Sequence, residues 1–276
     1  MASSQALATA PQRAFEAPET TTSRPPATIG TFRSRLPHHL RSHLNSGREW
    51  MQQRAAAPLP STFPTATALD QLLVGGLPQG QLVELIGRRS SGRFSTILSS
   101  LATATSAGEA AAFIDLGDAF DPQLAVAAGV DLERLLWARP GHLKQTLISA
   151  EVLLAGGFPL VVIDLGNPPV PGGRGVEASW LRLAKAAQSH QAALLVSSPY
   201  RVSGTAAAGV VKADHGRALW SGSAPGPRLL VGLSSHLTLQ KMRRQQGNRT
   251  EALRLQPPAA LIYGTTTASI GNRSRS

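Results

Sequence analysis

The sequence of 276 residues has no cysteine and few aromatic residues. Without cysteine it has no disulfide, no thiolate zinc ligand and no thiol nucleophile, a composition typical of a reducing cytosol. Aromatic residues make up 5% of the chain and hydrophobic residues 42%, so aliphatic side chains must form most of the core. No apolar run approaches the roughly 20 residues of a membrane-spanning helix. We therefore expect a cytoplasmic protein with no membrane segment.

The positive charge of the chain is concentrated at its two ends. The formal net charge is +11. Residues 57–198 carry 9 basic and 11 acidic side chains, whereas residues 199–254 carry 9 basic and 2 acidic ones and residues 1–56 carry 7 and 3. Such a distribution favours contact with phosphate backbones. A solubilising basic surface is the alternative.

Apolar strand patterns alternate with helical patterns through the middle of the chain. This order predicts an α/β fold with a mostly parallel central sheet flanked by helices on both faces. The ends are rich in Ala, Ser, Thr, Pro and Gly without periodicity, which indicates disordered termini. The expected divisions are a disordered N-terminal tail (1–34), a basic helical arm and linker (35–65), a core domain (66–256) and a flexible C-terminal tail (257–276).

The C-terminal third of the core gives a weaker pattern. Residues 229–233 and 237–241 have the composition of two separate strands, and residues 252–255 that of a third. A hairpin tip is expected around Gln246, Gly247 and Asn248. Residues 199–220, which contain several Gly and Ala, are interpreted as a surface segment that follows a strand.

A glycine-rich loop between a strand and a helix is the most informative motif. Phosphate-binding loops read Gly, four residues, Gly, Lys, then Ser or Thr. Gly87 and Gly92 match, but Arg93 replaces the lysine and Phe94 replaces the hydroxyl residue that holds Mg²⁺. A simple glycine turn is the alternative. The candidate nucleotide-binding residues are Gly87, Ser90, Ser91, Gly92, Arg93, Phe94 and Ser95.

Acidic residues follow two of the predicted strands. Asp164 ends an apolar run, as the metal-holding acid of nucleotide-hydrolysing proteins does, and is the candidate metal ligand. Asp115, Asp118 and Asp121 follow the second strand. One of these three carboxylates could activate water, but helix capping by Asp121, with Pro122 behind it, is the favoured interpretation.

Basic residues lie in two segments that follow strands at their carboxyl ends, where open α/β sheets bind ligands. Interleaved with aromatic residues and glycines, they suit single-stranded nucleic acid, which is bound by phosphate contact and base stacking. An ordinary mobile loop is the alternative. The candidate DNA-binding residues are Arg174, Arg201, Lys212 and Arg217.

Taken together, these sequence motifs resemble the core of bacterial RecA recombinases. The first block runs from Leu69-Asp70 through residues 75–87 to Ser90-Ser91-Gly92, and a second comprises residues 112–115, 121–122 and 128–132. The strand ending at Asp164 completes the pattern. The resemblance covers roughly residues 66–245 and implies a RecA-like, P-loop NTPase core.

Departures from that family narrow the implied function. The family has Lys and Thr where this chain has Arg93 and Phe94, and its catalytic Glu would fall at Gly117, so no catalytic residue is assigned. The pattern is similar to degenerate ImuA/SulA-type relatives. This likeness implies a nucleoid-associated role in the bacterial DNA-damage (SOS) response, supporting translesion synthesis without ATP hydrolysis. Whether ATP or Mg²⁺ is bound at all is left open.

The same resemblance implies partners. These are an error-prone polymerase, an inactive Y-family polymerase-like protein, single-stranded DNA and other copies of the chain. Two alternatives remain: a divergent DNA-dependent ATPase of homologous recombination, and a protein-binding regulator of cell division.

Overall fold

The computed structural model describes residues 61–166, 176–222, 226–243 and 248–256, together with Pro37 and Arg48. The expectations for the tails (1–34 and 257–276) and for almost all of the basic arm lie outside these residues. Among the residues described, no helix is long and apolar enough to span a membrane.

Among the described residues, strands and helices largely alternate up to residue 198, and the elements after it are strands. The strands are β1 (Thr62–Phe63), β2 (Leu77–Pro78), β3 (Gln81–Gly87), β4 (Ala111–Asp115), β5 (Leu135–Ala138), β6 (Leu160–Asp164), β7 (Ala193–Ser198), β8 (Gly209–Ala213), β9 (Arg217–Ser221), β10 (Leu229–Met242) and β11 (Arg249–Leu255). The helices are α1 (Leu69–Leu72), α2 (Arg93–Ser106), α3 (Pro122–Ala127), α4 (Leu143–Ala155) and α5 (Val176–Ser189), with a 3₁₀ turn at Leu132–Arg134.

In the part of the chain that the structure describes, nine strands form one mixed sheet. Its order is β11-β10-β8-β3-β7-β6-β4-β5, with β9 paired to β10. The six strands from β8 to β5 are mutually parallel, whereas β10 runs antiparallel to its three neighbours. The mostly parallel sheet predicted from the sequence is therefore confirmed. β1 and β2 pair separately as a short antiparallel ribbon, and β1 lies within the segment interpreted as a linker.

Successive residues of a strand point to opposite faces of the sheet, and in the parallel strands both sets of side chains are buried. Helices therefore cover both faces of the sheet. Val83 and Leu85 of β3 join one core with Ile97 and Leu101 of α2. The intervening Leu82 joins a second core with α4 and α5, in which Trp180 is fully buried. The parallel strands are consequently apolar on both faces, and aliphatic side chains dominate both cores as the composition predicts.

The C-terminal third departs from its sequence prediction in two ways. Residues 229–242 form one strand rather than two, because β10 pairs with β9 through Leu229–Ser234 and with β8 through Leu237–Met242, while β11 lies along its opposite edge. The polar stretch between the two predicted strands is where the strand changes partner.

Part of the predicted surface segment, residues 199–220, is an interior strand. Val210 and Val211 of β8 are fully buried between β3 and β10. Their alanine and glycine neighbours have low strand propensity, which hid the strand in the sequence. The antiparallel pairing of β10 with β11 agrees with the predicted hairpin, although most of its tip lies outside the described residues.

Candidate functional site: the glycine-rich loop and the adjoining strand ends

The carboxyl end of β3 leads into the glycine-rich loop, residues 87–92, and then directly into α2. Gly92 has a φ of +87° at the N-terminal cap of α2, and Ser90 has a φ of +60°. The backbone thus makes the tight turn that aims a helix N-terminus at the loop, the arrangement by which such loops attract anions. The predicted strand, loop and helix are all present.

Arg93 does not extend into the loop as a phosphate ligand would. Its side chain is buried and reaches the ends of the neighbouring strands β6 and β7. One guanidinium nitrogen donates to the Ser197 hydroxyl at 2.9 Å and lies 3.5 Å from the Asp164 carboxylate, and the other donates to the Gly166 carbonyl at 3.4 Å. The cation that replaces the lysine therefore binds internal groups.

Asp164 is satisfied by the same network. The Ser197 hydroxyl donates to its Oδ1 at 2.8 Å. Burial raises the pKa of the Asp164 carboxyl, while Arg93, Ser197 and the Gly166 backbone lower it. Burial lowers the pKa of the Arg93 guanidinium, and the Asp164 charge opposes this. Each charge is costly to bury and is compensated chiefly by the other.

This arrangement does not suit a magnesium ion. The predicted metal ligand, Asp164, already accepts from Ser197 and faces the cationic Arg93. At the position of the family's hydroxyl, Phe94 packs edge-on against Phe113, with ring centroids 6.4 Å apart. Across the part of the chain that the structure describes, no group of three or more His, Cys, Asp or Glu side chains could hold a metal ion.

The position of the family's catalytic glutamate is closed by backbone. A Cβ atom added to Gly117 would lie 2.4 Å from the Cα of Gly166 and 3.5 Å from Asp164 Oδ2. The Leu116 N–H also donates to the Asp164 carbonyl at 3.0 Å, which ties the two strand ends together. No side chain fits at 117 unless these segments separate.

The other carboxylates beyond β4 have structural partners. Asp115 accepts from the backbone N–H groups of Ala119 and Phe120. Asp118 forms an ion pair with Arg139 at 2.7 Å. Asp121 caps α3, with Pro122 at the first helical position. The capping interpretation of the sequence is confirmed.

Ser90, Ser91 and Ser95 have three different environments. The Ser90 carbonyl accepts from Gly216 N–H at 3.0 Å, so the chain after β8 lies beside the loop. Ser91 is buried, and no described residue forms a hydrogen bond with its hydroxyl. Ser95 is exposed and, with Phe94, borders a groove of about 910 Å³ between α2, α3 and β11.

The C-terminal strands cover the loop from the side of Gly92. A Cβ atom at this position would lie 2.9 Å or less from side-chain atoms of Leu253 and Leu255 and 3.5 Å from Leu233. These leucines of β10 and β11 therefore fix the glycine-rich turn against the sheet. They constrain the first turn of α2, whose Arg93 points into the strand ends.

The three predicted DNA-binding residues that the structure describes lie at different points around β8. Arg174 lies outside the described residues. Burial lowers the pKa of Lys241, which pairs with Val210 near the start of β8, and the nearby Arg201 and Arg243 lower it further, while Glu84 raises it. Arg201 therefore lies near this end of β8. Lys212 pairs with Asp214 at 3.0 Å. Arg217 begins β9, beyond the other end of β8.

Sequence reasoning missed Glu84, a carboxylate in the middle of β3 that is fully buried. Its Oε1 accepts from the backbone N–H groups of Val202 and Ser203, and its Oε2 accepts from the Ser203 hydroxyl at 2.8 Å. It therefore anchors the loop after β7. An acidic residue within an apolar strand pattern was the available signal.

Comparison with known proteins places the fold in a family. A family model described as the RecA N-terminal domain matches residues 52–196. The chain is 43% identical over 123 residues to Protein RecA of Rubrobacter xylanophilus, an alignment covering 44% of this chain and 36% of that protein. It is 40% identical over 134 residues to Protein RecA of Acidothermus cellulolyticus, covering 48% and 39%.

These alignments span a little over a third of the length of the curated relatives. Among solved structures, the crystal structure of the RadB recombinase superposes with a TM-score of 0.53 at 20% identity, covering 69% of this chain and 94% of that one. At 20% identity this superposition supports the fold alone.

Proposed function

The chain belongs to the RecA recombinase family, and on that premise we propose that it is a non-hydrolysing accessory protein of the bacterial DNA-damage response. Its role would be to support translesion DNA synthesis in the bacterial cytoplasm, near the nucleoid. The observation that carries the proposal is the burial of Arg93 against Asp164 and Ser197. Charged groups that a nucleotide and its metal would need are paired with each other.

Three changes act against ATP hydrolysis. Phosphoryl transfer depends on a cation at the β and γ phosphates, a metal ion, and a group that orients the attacking water. Arg93 is directed away from the loop, Phe94 has no oxygen for a metal, and Gly117 has no side chain. Loss of a single transition-state contact typically costs about 3–4 kcal/mol, so together the losses leave little catalysis.

Contact with nucleic acid and polymerases belongs to the same proposal. Arg201, Lys241 and Arg243 place positive charge at the start of β8, which suits a phosphate backbone. The likeness to ImuA/SulA-type proteins supports an inactive Y-family polymerase-like protein and an error-prone polymerase as partners. Self-association is also proposed from the family, without a requirement for ATP.

The first experiment measures phosphate release from ATP with Mg²⁺ and single-stranded DNA. The wild type is compared with Arg93→Met/Asp164→Asn, a double substitution that removes both charges together and keeps similar side-chain shapes. We expect no release above background from either protein. Release by the wild type that the double substitution abolishes would instead establish a DNA-dependent recombinase ATPase.

A second experiment tests the biological role. Deletion of the gene is expected to lower the frequency of damage-induced mutation, and the Arg93→Met/Asp164→Asn chain is expected to restore it as well as the wild type does. An unchanged mutation frequency in the deletion strain would contradict the translesion role. Failure of only the double variant to restore mutagenesis would show that the loop is functionally required.

A further inference from the structure

A two-stranded ribbon projects beyond the parallel part of the sheet. It consists of β9 and residues 228–232, and we call it the β9 ribbon. Every residue of β9 is exposed, in contrast to the parallel strands β3, β4, β6 and β7, which are almost wholly buried. The ribbon therefore adds little to either core.

Large apolar side chains occupy both faces of this ribbon. Trp220 lies directly opposite Leu230, and residues that oppose each other share a face. Their exposed fractions are 50% and 48%, while Leu219 and Leu229, adjacent to them in sequence and so on the other face, are 38% and 59% exposed. Four exposed apolar residues on so short a ribbon form a surface suited to binding rather than to solvent.

One edge of β9 is open. Within the described parts of the chain β9 pairs only with β10. Just before it, Gly216 N–H donates to the Ser90 carbonyl, so the open edge starts beside the glycine-rich loop. β9 continues the line of β8, whose corresponding edge is covered by β3. Unpaired backbone groups at such an edge are a template for an added strand.

The charge around the ribbon selects the kind of strand that would fit. From residue 215 to residue 250 the sequence contains no Asp or Glu. Arg217 begins β9, and the Arg228 guanidinium lies 5.5 Å from the centroid of the Trp220 ring. Edge-to-edge pairing with a second copy would bring these like charges together, whereas an acidic segment would be attracted to them.

We propose that the open edge of β9 is a docking site for an extended, acidic segment of a partner protein, which binds by strand addition. On β9, Leu219 and Trp220 are adjacent and Arg217 lies two positions before Leu219. The complementary segment therefore has two adjacent apolar residues and an acidic residue two positions away. Backbone hydrogen bonds supply affinity, and these side chains supply specificity. The proposal does not depend on nucleotide binding or on a role in translesion synthesis.

Fluorescence anisotropy of the full chain tests this with a labelled peptide of sequence SVLTETS. Saturable binding is expected. N-methylation of the alternate peptide amides that face β9 should weaken binding by about tenfold, because it removes backbone hydrogen bonds to the edge strand. A peptide with lysine in place of glutamate should bind at least several-fold more weakly. Hydrogen exchange of the β9 amides should slow when the acidic peptide binds.

Matched variants locate the site. Trp220→Ser and Leu219→Ser should weaken peptide binding by about tenfold. Ile148→Ser and Val152→Ser, which change exposed apolar residues on α4, should leave it unchanged. Thermal unfolding of all four variants checks that the chain remains folded, since exposed positions contribute little to stability.

Three results would overturn the proposal. One is a lack of saturation at about 1 mM peptide, which corresponds to negligible affinity. The second is equal binding of the N-methylated peptide, which would exclude strand addition. The third is that Trp220→Ser leaves peptide binding unchanged and weakens the binding of something else. Weaker binding of oligo-dT would make the ribbon a nucleic-acid surface, and loss of a dimer in sedimentation would make it a contact between copies.

Discussion

The buried pair of Arg93 and Asp164 can be separated by substitution, and the energetic result can be worked from the structure. Arg93→Met removes the guanidinium and keeps an unbranched side chain. Asp164→Asn removes the carboxylate charge and keeps an oxygen that can accept from the Ser197 hydroxyl. Each single change leaves one ionised group in a site where the wild-type Arg93 and Asp164 side chains are only 8% and 4% exposed.

The cost of each single change follows from that burial. Removing one partner of a buried pair typically destabilises a protein by about 3–5 kcal/mol, because the remaining charge is uncompensated. Removing both together is commonly near neutral. The double variant Arg93→Met/Asp164→Asn is therefore expected within about 1–2 kcal/mol of the wild type, so the coupling energy is several kcal/mol.

The two single variants should differ in their response to pH. Burial already raises the pKa of Asp164 above its ordinary value of 3.8 in the wild type, and Arg93→Met removes the main opposing charge. The folded state then holds the carboxyl proton more tightly than the unfolded state. The contribution of this proton to the stability of the Arg93→Met variant is fully present below the pKa that Asp164 has in the unfolded chain. It is lost, by up to about 1.4 kcal/mol per pH unit, as the pH rises to the pKa that Asp164 has in the folded chain.

Urea unfolding followed by far-ultraviolet circular dichroism, near pH 5 and near pH 8, measures these energies. Arg93→Met should be more stable at the lower pH relative to the wild type, whereas Asp164→Asn has no such titration. Single variants within about 1 kcal/mol of the wild type at both pH values would refute the reasoning, since an exposed pair is worth only that much. A double variant whose loss equals the sum of the two single losses would refute it as well.

Two further predictions concern groups close to this site. Gly117→Ala should destabilise the chain by about 2 kcal/mol or more in thermal unfolding, because the added Cβ would clash with the backbone of Gly166 and force it to move. Gly141→Ala is the control and should be tolerated, because a Cβ at position 141 would have only a Gln145 side-chain atom within 4 Å. Glu84→Gln should lower the free energy of unfolding by about 1–3 kcal/mol, because it weakens the charge-assisted hydrogen bonds to Ser203. It should also speed proteolysis within residues 199–208. Unchanged cleavage there would show that Glu84 does not hold that loop.

The parallel part of the fold could be predicted from sequence because several local signals agree there. The strand before Gly87, the helix after it and the capped helix at Asp121 each combine periodicity with a boundary residue. The end of the chain gave no such agreement. β10 crosses from one partner strand to another through a polar stretch, and only tertiary pairing decides that it is continuous.

In the candidate site, too, the sequence predicts what local motifs determine and not what distant residues determine. The sequence identified the substituted positions, Arg93, Phe94 and Gly117, because a motif fixes their spacing. It did not predict that Arg93 turns away from the loop, since the direction of the side chain depends on Ser197 and Asp164, which are 104 and 71 residues away. It did not predict the contact of Gly117 with Gly166 for the same reason.

The three departures depend on one another, which limits what any single reversal can achieve. A lysine at position 93 has no planar fork with which to contact Ser197 and the Gly166 carbonyl together, so Arg93→Lys alone would weaken the bonds that satisfy Asp164. A threonine at position 94 would give up the packing of Phe94 on Phe113. A glutamate at position 117 requires residues 116–117 and 165–166 to separate. Arg93 contacts the second of these segments through the Gly166 carbonyl, so the closed strand ends and the inward arginine stabilise each other. On the proposed function, we expect ATP hydrolysis only in a variant in which all three positions change together with the backbone around Gly166.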